Sequence, residues 1–334
     1  MLQYLIILLD DTSVSFCHYE NKRSEHRLIS IDNLKKGILF AMKENLNIQF
    51  VYPDYELPQE YEDVIDTIDH SKIVSCNTQT APSGSPRGEG KDDCVIVVDD
   101  IDRIEGMDFD SSTAYVLRVC KEKLFDNATA VSAMLGNVAR LNVVITDVEA
   151  FTDEDFETYK RVLVELSATV ETLYADGKSP QLNILTDRMM LDKMNNCNAG
   201  DATVTLAPDG KFYVCPAFYL AGDDEDFGLG KAKYSIGDLD NGLDIKNPQL
   251  YKLDHAPLCR NCDAYQCRRC VWLNRKTTYE VNTPSHEQCV VAHLERNASR
   301  ELLSRIRTHG TFLPEREEIK EIDYLDPFDK REEW

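Results

Sequence analysis

The chain has 334 residues, and its 59 Asp and Glu residues outnumber its 37 Lys and Arg residues, which gives a formal charge of -22. This balance argues against nucleic-acid binding, because a phosphate backbone is recognised by a net basic surface. The 43% hydrophobic and 9% aromatic content is sufficient for ordinary globular cores, and the length predicts about two domains.

The apolar run at residues 5–9 is followed directly by Asp10 and Asp11. A membrane span needs about 18 apolar residues, so we expect no membrane association. The run has no basic flank and no small-residue cleavage pattern, which predicts a first β-strand rather than a signal peptide. We therefore expect a cytoplasmic protein, in which the 11 cysteines serve as metal ligands, catalysts or packing residues rather than as disulfides.

Short apolar runs without polar alternation, typical of buried strands, are distributed through the first half of the chain. A helix is predicted from Thr152 to Gly177, because Thr152 and Asp155 form a capping-box pattern and apolar residues then recur every three or four positions. The alternation predicts an α/β fold with a mainly parallel sheet, either open or curved into a partial or degenerate (β/α) barrel. The predicted strands are residues 4–9, 48–52, 94–98, 141–146 and 182–185.

Several segments have a different character. Residues 78–93 contain two prolines, three glycines and almost no apolar side chain, which predicts a mobile loop inside the first domain. Residues 221–230 are acidic and irregular, and residues 288–307 have the pattern of an amphipathic helix. Residues 311–334 form a charged tail.

The cysteines divide the chain into two chemically different parts. Cys17, Cys76, Cys94 and Cys120 are scattered through the first half without ligand-like spacing. The other seven fall between residues 197 and 289, and four of these form a compact C-x2-C-x4-C-x2-C array. A two-residue gap lets a tight turn point two thiolates at one metal centre. The array consists of Cys259, Cys262, Cys267 and Cys270.

Two CxxC pairs suit either a structural zinc site or an iron-sulfur cluster. A zinc ribbon usually separates its two CxxC pairs by about 15 to 20 residues. Here only four residues, 263–266, separate Cys262 from Cys267. Seven thiols also exceed the needs of one tetrahedral site. The pattern therefore favours iron-sulfur, and zinc stays as the alternative.

The array is framed by Cys197 and Cys215 on one side and by Cys289 on the other. Residues 202–206 and 211–214 predict two short strands joined by a turn at residues 207–210, and this hairpin would bring Cys197 toward Cys215. A second strand-and-turn fragment is predicted at residues 236–239.

The order of these residues resembles the SPASM domain, the C-terminal extension of many peptide-modifying radical SAM enzymes. The SPASM pattern is C-x9-15-G-x4-C, a gap, C-x2-C-x5-C-x3-C, a gap, and C. All seven cysteines and Gly210 occur here in that order, although the inner spacings are x4 and x2 in place of x5 and x3. The resemblance covers somewhat over a quarter of the chain.

The resemblance implies one or two [4Fe-4S] clusters. Carried over by position, one cluster would be held by Cys259, Cys262, Cys267 and Cys289. The other would be held by Cys197, Cys215 and Cys270. No cysteine occurs at residues 191–196 to supply a fourth ligand, so this second site would be open at one iron or empty.

Radical SAM enzymes also carry C-x3-C-x2-C after the first barrel strand, where three thiolates leave one iron free to chelate S-adenosylmethionine. This chain has only Cys17 in that region. It therefore resembles pseudo-radical SAM proteins, particularly the CXXX repeat peptide maturase type. The implied organisation is an α/β domain at residues 1–190, a cysteine-rich SPASM-like domain at 191–310, and the tail at 311–334.

Basic residues surround the cysteine array in an otherwise acidic chain. Arg260, Arg268 and Arg269 would offset the negative charge of thiolate-bound iron, or would accept an acidic segment of a precursor peptide. Asp10, Asp11 and the pair Asp99 and Asp100 follow predicted strands, where a parallel α/β fold places its ligand crevice. Such residues are also common in turns, and we favour that interpretation.

We expect an accessory maturation protein for a ribosomally synthesised, post-translationally modified peptide with cysteine repeats. Its partners would be the precursor peptide and a partner maturase, and it would not act as an autonomous radical SAM enzyme. The alternatives are a zinc-stabilised peptide- or protein-binding module without a redox role, and an electron-transfer metalloprotein.

Overall fold

A computed structural model describes residues 2–76, 93–104, 106–221 and 234–319 of the chain. The predicted mobile loop at 78–93 and the acidic segment at 221–230 lie outside the described residues, except for Asp93 and Ala221. The part of the predicted tail beyond residue 319 also lies outside them.

Strands and helices alternate through most of the chain, as the hydrophobic pattern predicts. The strands are β1 (Tyr4–Leu8), β2 (Asn47–Val51), β3 (Ser71–Ser75), β4 (Asp93–Val98), β5 (Ala114–Val119), β6 (Arg140–Ile145), β7 (Gln181–Leu182), β8 (Thr203–Leu206), β9 (Lys211–Tyr213), β10 (Ser235–Asp238) and β11 (Gly242–Leu243). The helices are α1 (Ile31–Glu44), α2 (Gln59–Ile65), α3 (Lys121–Asp126), α4 (Ala128–Leu135), α5 (Asp153–Ala175), α6 (Asp187–Met190), α7 (Ala217–Leu220), α8 (Val271–Thr278) and α9 (His286–Ile306).

Most of the predicted elements are confirmed to within about two residues. Strands β1, β2, β4 and β6 match their predicted runs, and α5 and α9 match the predicted helices. The run at 182–185 is a strand only at its start, because the amides of Leu185 and Thr186 bond back to the Leu182 carbonyl and close a turn. Sequence analysis missed β3 and β5, in which Lys72 and Arg118 interrupt the apolar pattern.

The described contacts group the chain into two compact units, each made of two separate stretches. Unit 1 comprises Met1–Asp99 and Cys197–Ala256, and unit 2 comprises Asp100–Asn196 and Pro257–Trp334. The resemblance implies a single boundary at residue 190, with one continuous stretch of chain in each domain. That division stays a prediction.

Unit 1 contains strands in the order β11-β10-β9-β8-β1-β2-β3-β4. Strands β8, β1, β2, β3 and β4 are parallel, so their carboxyl ends lie at one edge. The predicted hairpin is confirmed as the antiparallel pair β8 and β9, and Gly210 takes a φ of 78° in its turn. A Cβ atom on Gly37 would lie 2.4 Å from Leu206 Cδ2, so this glycine lets α1 pack closely against β8.

Unit 2 contains the parallel strands β5, β6 and β7 together with the two long helices α5 and α9, which pack against each other. The predicted apolar stripe of α5 is buried at Tyr159, Leu166 and Val170. The fold is therefore mixed α/β with mainly parallel strands, as expected. Curvature into a partial barrel stays a prediction. None of the helices in the described part of the chain is long and apolar enough to cross a membrane.

The start of α5 is fixed by a reciprocal capping box. The Asp155 amide donates to Thr152 Oγ1 at 3.4 Å, and the Thr152 amide donates to Asp155 Oδ2 at 2.8 Å. We expect Thr152→Ala to lower the free energy of unfolding by about 1 kcal/mol, because one amide of the first turn loses its acceptor. Thr158→Ala, inside the same helix, should leave stability unchanged or slightly raised, since alanine has the higher helix propensity. Equal urea midpoints for the two variants would contradict this role of the cap.

Candidate metal centre

The cysteine array lies in an irregular loop of unit 2 that runs from residue 257 to the start of α8. The Cys262 amide donates to the Cys259 carbonyl at 3.0 Å, which closes the tight turn that the first CxxC spacing predicts. Cys270 is the N-cap of α8, and its sulfur accepts from the Leu273 amide at 3.5 Å. Cys289 lies in α9.

Backbone amides point at two further sulfurs of the loop. The Ala264 amide donates to Cys262 Sγ and the Arg269 amide donates to Cys267 Sγ, both at 3.5 Å. An amide that donates to sulfur stabilises the thiolate relative to the thiol. The loop backbone is therefore arranged to support negative charge on these sulfurs.

Cys259, Cys262 and Cys267 form a group that we call the thiol cluster, because their sulfurs influence one another electrostatically. Burial raises the pKa of Cys259 to about 11, Arg269 lowers it in part, and Cys262 raises it. Burial also raises the pKa of Cys267 to about 12, with further upward contributions from Cys259, Cys262 and Glu295. Cys259 and Cys267 are therefore protonated at neutral pH when no metal is bound.

The loop is anchored to α9 by an ion pair between a buried arginine and a partly buried aspartate. Arg296, which is 1% exposed, donates through Nε to Asp263 Oδ1 at 2.8 Å and through Nη2 to Asp263 Oδ2 at 2.6 Å. The Arg188 guanidinium of α6 lies 3.4 Å from Asp263 Oδ2 and stacks over the Tyr265 ring. Burial alone would raise the pKa of Asp263, but the hydrogen bond and charge of Arg296, with the charge of Arg188, outweigh it and lower that pKa.

A second buried contact joins the loop to both long helices. Gln266 Nε2 donates to the Ala292 carbonyl at 2.6 Å and lies 3.4 Å from the Glu295 carboxylate, which accepts from Tyr159 OH at 2.9 Å. Burial raises the pKa of Glu295 to about 7, against the lowering effect of its two hydrogen-bond donors. His293 Nε2 lies 3.5 Å from Cys262 Sγ, so α9 also contributes an imidazole beside the cluster.

The three arginines predicted near the array differ in their surroundings. Arg260 and Arg268 are exposed, whereas Arg269 is 1% exposed and donates through Nε to Asn196 Oδ1 at 2.7 Å. Only the first two therefore present their guanidinium groups to solvent. Sequence reasoning alone did not distinguish them, since adjacent residues of a loop have no predictable burial.

The donors present suit a thiolate-bound metal, although their positions do not complete a coordination shell. Within the described ranges, no group of three or more His, Cys, Asp or Glu side chains is placed to hold a metal ion. Buried sulfurs, amides that donate to sulfur and an adjacent guanidinium are nonetheless the environment that thiolate ligation requires. The residues of the thiol cluster are therefore of the type that binds such a metal.

The remaining predicted ligands are distributed over both units. Cys197 and Cys215 belong to unit 1, where they flank the β8–β9 hairpin, and both are partly buried. Cys270 and Cys289 belong to unit 2 and are placed by α8 and α9. The two sets of ligands that the resemblance implies stay predictions.

In unit 1, Asp10 and Asp11 at the carboxyl end of β1 are both buried. Asp10 Oδ1 accepts from the Thr12 amide at 2.8 Å, a turn contact, and its Oδ2 accepts from Tyr55 OH at 2.9 Å. Asp11 Oδ1 accepts from Tyr219 OH at 2.5 Å, while its Oδ2 lies 3.4 Å from Arg23 Nη1. The favoured turn interpretation is confirmed for Asp10.

Asp100 has a similar local role. Asp100 accepts from the Asp102 amide at 3.1 Å and caps a short 3-10 helix, Ile101–Arg103. This hydrogen bond and the charge of Lys123 lower the pKa of Asp100. No cation site is found at either aspartate pair in the part of the chain that the structure describes.

Of three comparisons with known proteins, the one with solved structures finds matches. No family model matches the chain, and no curated protein matches it. Solved structures do match: native anSMEcpe with bound AdoMet superimposes with a TM-score of 0.56 at 10% identity, over 91% of this chain and 99% of that chain. The same enzyme with AdoMet and the Cp18Cys peptide gives a TM-score of 0.55 at 10% identity, over 92% and 100% of the two chains.

A third match, anSMEcpe with AdoMet and the Kp18Cys peptide, has a TM-score of 0.53 at 10% identity and covers 91% of this chain and 99% of that chain. All three are structures of one protein with bound AdoMet, and two of them also hold a peptide. At this identity the likeness establishes a shared fold.

The ion pair between Asp263 and Arg296 should be required for the stability of unit 2. Asp263→Asn should lower the free energy of unfolding of the metal-free protein by about 2 kcal/mol or more, because the guanidinium of Arg296 stays buried without its carboxylate. Glu301→Gln, an exposed change on the same helix α9, should alter it by about 0.5 kcal/mol at most. Urea unfolding followed by circular dichroism compares them, and equal losses would show that the pair does not anchor the loop.

Proposed function

We propose that this chain is an accessory maturation protein for a ribosomally synthesised, post-translationally modified peptide. It binds iron-sulfur through its clustered cysteines and does not itself start radical chemistry. The observation that carries the proposal is the thiol cluster of Cys259, Cys262 and Cys267, set in a fold similar to that of a peptide-modifying enzyme.

The residues that would hold the metal follow the order of the SPASM pattern. Cys259, Cys262, Cys267 and Cys289 would bind one [4Fe-4S] cluster. Cys197, Cys215 and Cys270 would bind the other. When bound, such clusters supply one-electron transfer.

The accessory role is supported by the segment that follows β1. It contains Cys17 and no cysteine triplet, and its first residues are fixed by internal contacts. Arg23 Nε donates to the Tyr219 carbonyl at 2.9 Å while its guanidinium stacks 3.8 Å above the Tyr219 ring, and Tyr219 OH bonds to Asp11. One carboxylate, an arginine and a tyrosine thus satisfy one another at the carboxyl end of β1.

The partner we propose is a precursor peptide, alone or with its maturase. Solved neighbours hold peptides together with AdoMet, which supports a peptide as the ligand of this fold. The exposed Arg260 and Arg268 give one localised attraction for an acidic segment in a chain of formal charge -22.

A zinc-stabilised binding module without a redox role is the second candidate. It is supported by the CxxC turn at Cys259 and Cys262 and by the anchoring of the loop through Asp263 and Gln266. Metal analysis separates the two, since zinc and iron-sulfur give different stoichiometries and colours.

Protein purified without oxygen should be brown and contain about four to eight irons per chain with matching sulfide, as one or two [4Fe-4S] clusters require. Cys262→Ala should lose the iron of the thiol cluster, whereas Cys120→Ala, outside the clustered cysteines, should keep it. Iron, sulfide and zinc analysis measures this. Colourless protein that holds only stoichiometric zinc would favour the second candidate.

The same preparation tests the accessory role. Incubated with S-adenosylmethionine and dithionite, it should form no 5′-deoxyadenosine above the background of the Cys262→Ala protein. Cluster-dependent formation of this product would show that the chain starts radical chemistry by itself.

Binding of a cysteine-repeat precursor peptide should weaken as salt rises, because exposed charges attract it. Arg268→Glu should reduce affinity by about tenfold, while Arg161→Glu, an exposed reversal on α5, should change it little. Titration calorimetry at two salt concentrations measures both. An affinity that depends neither on salt nor on Arg268 would show that the peptide binds elsewhere on the chain.

A further inference from the structure

The exposed part of the cysteine loop carries two arginines and one large apolar side chain. Arg260 and Arg268 are exposed, and Leu258, two residues before Arg260, is 38% exposed. Among the described residues, none forms an ion pair with either of these guanidinium groups, whereas Arg296 binds Asp263. We call Leu258, Arg260 and Arg268 the basic face of the loop. It presents two positive charges and an apolar side chain to solvent, which suits a ligand that is both acidic and apolar.

The sequence of this chain contains a segment of that chemistry beyond the described residues. Residues 321–329, which we call the tail segment, have the sequence EIDYLDPFD. They include four acidic residues, no basic residue, and an isoleucine, a leucine, a tyrosine and a phenylalanine interleaved with the acidic residues. The tail segment therefore complements the basic face in both charge and apolar character.

The described chain that leads to the tail segment is attached beside the loop. The Arg316 guanidinium binds the Asp192 carboxylate. Three residues after Asp192, the Asn195 amide donates to the carbonyl of Tyr265, in the cysteine loop, at 2.7 Å. All these residues belong to unit 2, and Ile319, two residues before the tail segment, is buried. The start of the tail segment is therefore connected to the loop through one short stretch of backbone.

The length of the chain is sufficient for the tail segment to reach the basic face. The path of contacts from Arg316 to Arg268 passes along two short stretches of backbone, 192–195 and 265–268. Because consecutive Cα atoms are about 3.8 Å apart, the whole path is at most about 40 Å long. The 13 residues that follow Arg316 and end at Asp329 span up to about 45 Å when extended. The tail segment can therefore reach the basic face of its own chain.

We propose that the tail segment binds the basic face of its own chain and thereby competes with the acidic part of the precursor peptide. This rests on the proposed function in that the peptide uses Arg260 and Arg268. A tethered segment competes at an effective concentration of about millimolar when its tether spans the two sites, so even a weak contact reduces the binding of free peptide. Only a peptide with sufficient affinity for the basic face displaces the tail segment.

Charge strengthens this competition. The chain has a formal charge of -22, so an acidic peptide is repelled by most of its surface and attracted by the basic face. Four carboxylates bound against two guanidinium groups leave the occupied face with a net negative charge. The bound tail segment therefore repels an acidic peptide in addition to covering its site.

The test measures how accessible the basic face is in the full-length protein. The probe is a fluorescein-labelled synthetic peptide with the sequence of residues 321–329, and its binding is followed by fluorescence anisotropy. The tail variant removes three carboxylates of the tail segment together, by Asp323→Asn, Asp326→Asn and Asp329→Asn. The control variant removes three exposed carboxylates that precede the segment, by Glu315→Gln, Glu317→Gln and Glu318→Gln. Both variants change the net charge equally and leave the cysteines in place.

We expect the probe to bind the tail variant about tenfold more tightly than it binds the parent or the control variant. A gain of this size means that the face is free in about one tenth of the parent molecules. Arg268→Glu added to the tail variant should reduce the affinity by about tenfold, and raised salt should also weaken binding, because exposed charges make the contact.

Equal affinity of the probe for the parent and the tail variant would overturn the proposal, and so would an affinity that Arg268→Glu does not change. A dimer that the parent forms and the tail variant does not, measured by analytical ultracentrifugation, would assign the contact to a second copy and overturn the intramolecular assignment.

The proposed function fails by a different result. If the probe behaves as expected but no cysteine-repeat precursor peptide binds the tail variant, the tail contact stands and the role in peptide maturation is refuted. If such a peptide binds the parent and the tail variant equally well, the role in maturation stands and the competition by the tail segment is refuted.

Discussion

The geometry of the cysteine loop depends on the ion pair between Asp263 and Arg296. The loop from residue 257 to α8 has turns but no regular ladder, so side chains must hold it in place. Asp263 follows Cys262 directly and is held by a guanidinium with almost no exposure on a long helix. A buried arginine is unfavourable without its carboxylate, so the pair constrains the loop and α9 together. The position of the first CxxC turn therefore follows from a contact that involves no sulfur.

This anchoring has a consequence for the proposed binding of a metal. Because Asp263, Gln266 and Arg269 hold the loop through contacts to Arg296, Ala292 and Asn196, less of the binding free energy is needed to order the backbone. The main opposing cost is deprotonation of thiols whose pKa values burial has raised. Amides that donate to sulfur and the charge of Arg269 reduce that cost. Arg269 thus contributes both to the ordering of the loop and to the charge near its sulfurs.

In unit 1, side-chain contacts likewise hold the backbone in place at the carboxyl end of β1. The edge where parallel strands end is the usual place for a ligand crevice in α/β folds. Here Asp11, Arg23 and Tyr219 form a closed set of contacts, and Asp10 makes a turn with Thr12 and a bond to Tyr55. Opening this set would leave buried charges without partners, which is costly. These contacts therefore favour a structural role for the segment.

The sequence by itself determined the class of fold, most strands, the long helices and the CxxC turn at Cys259 and Cys262, because hydrophobic period, capping residues and short spacings act over a few neighbouring residues. It missed β3 and β5, whose polar residues obscure the apolar pattern. It could not separate Arg269 from Arg268, since burial of adjacent loop residues depends on distant partners such as Asn196. Nor could it find Arg296 or Glu295, which are ordinary residues of an amphipathic helix until tertiary packing brings them against the loop. Those choices belong to the tertiary structure, because long-range contacts set burial and charge pairing and local sequence does not encode them.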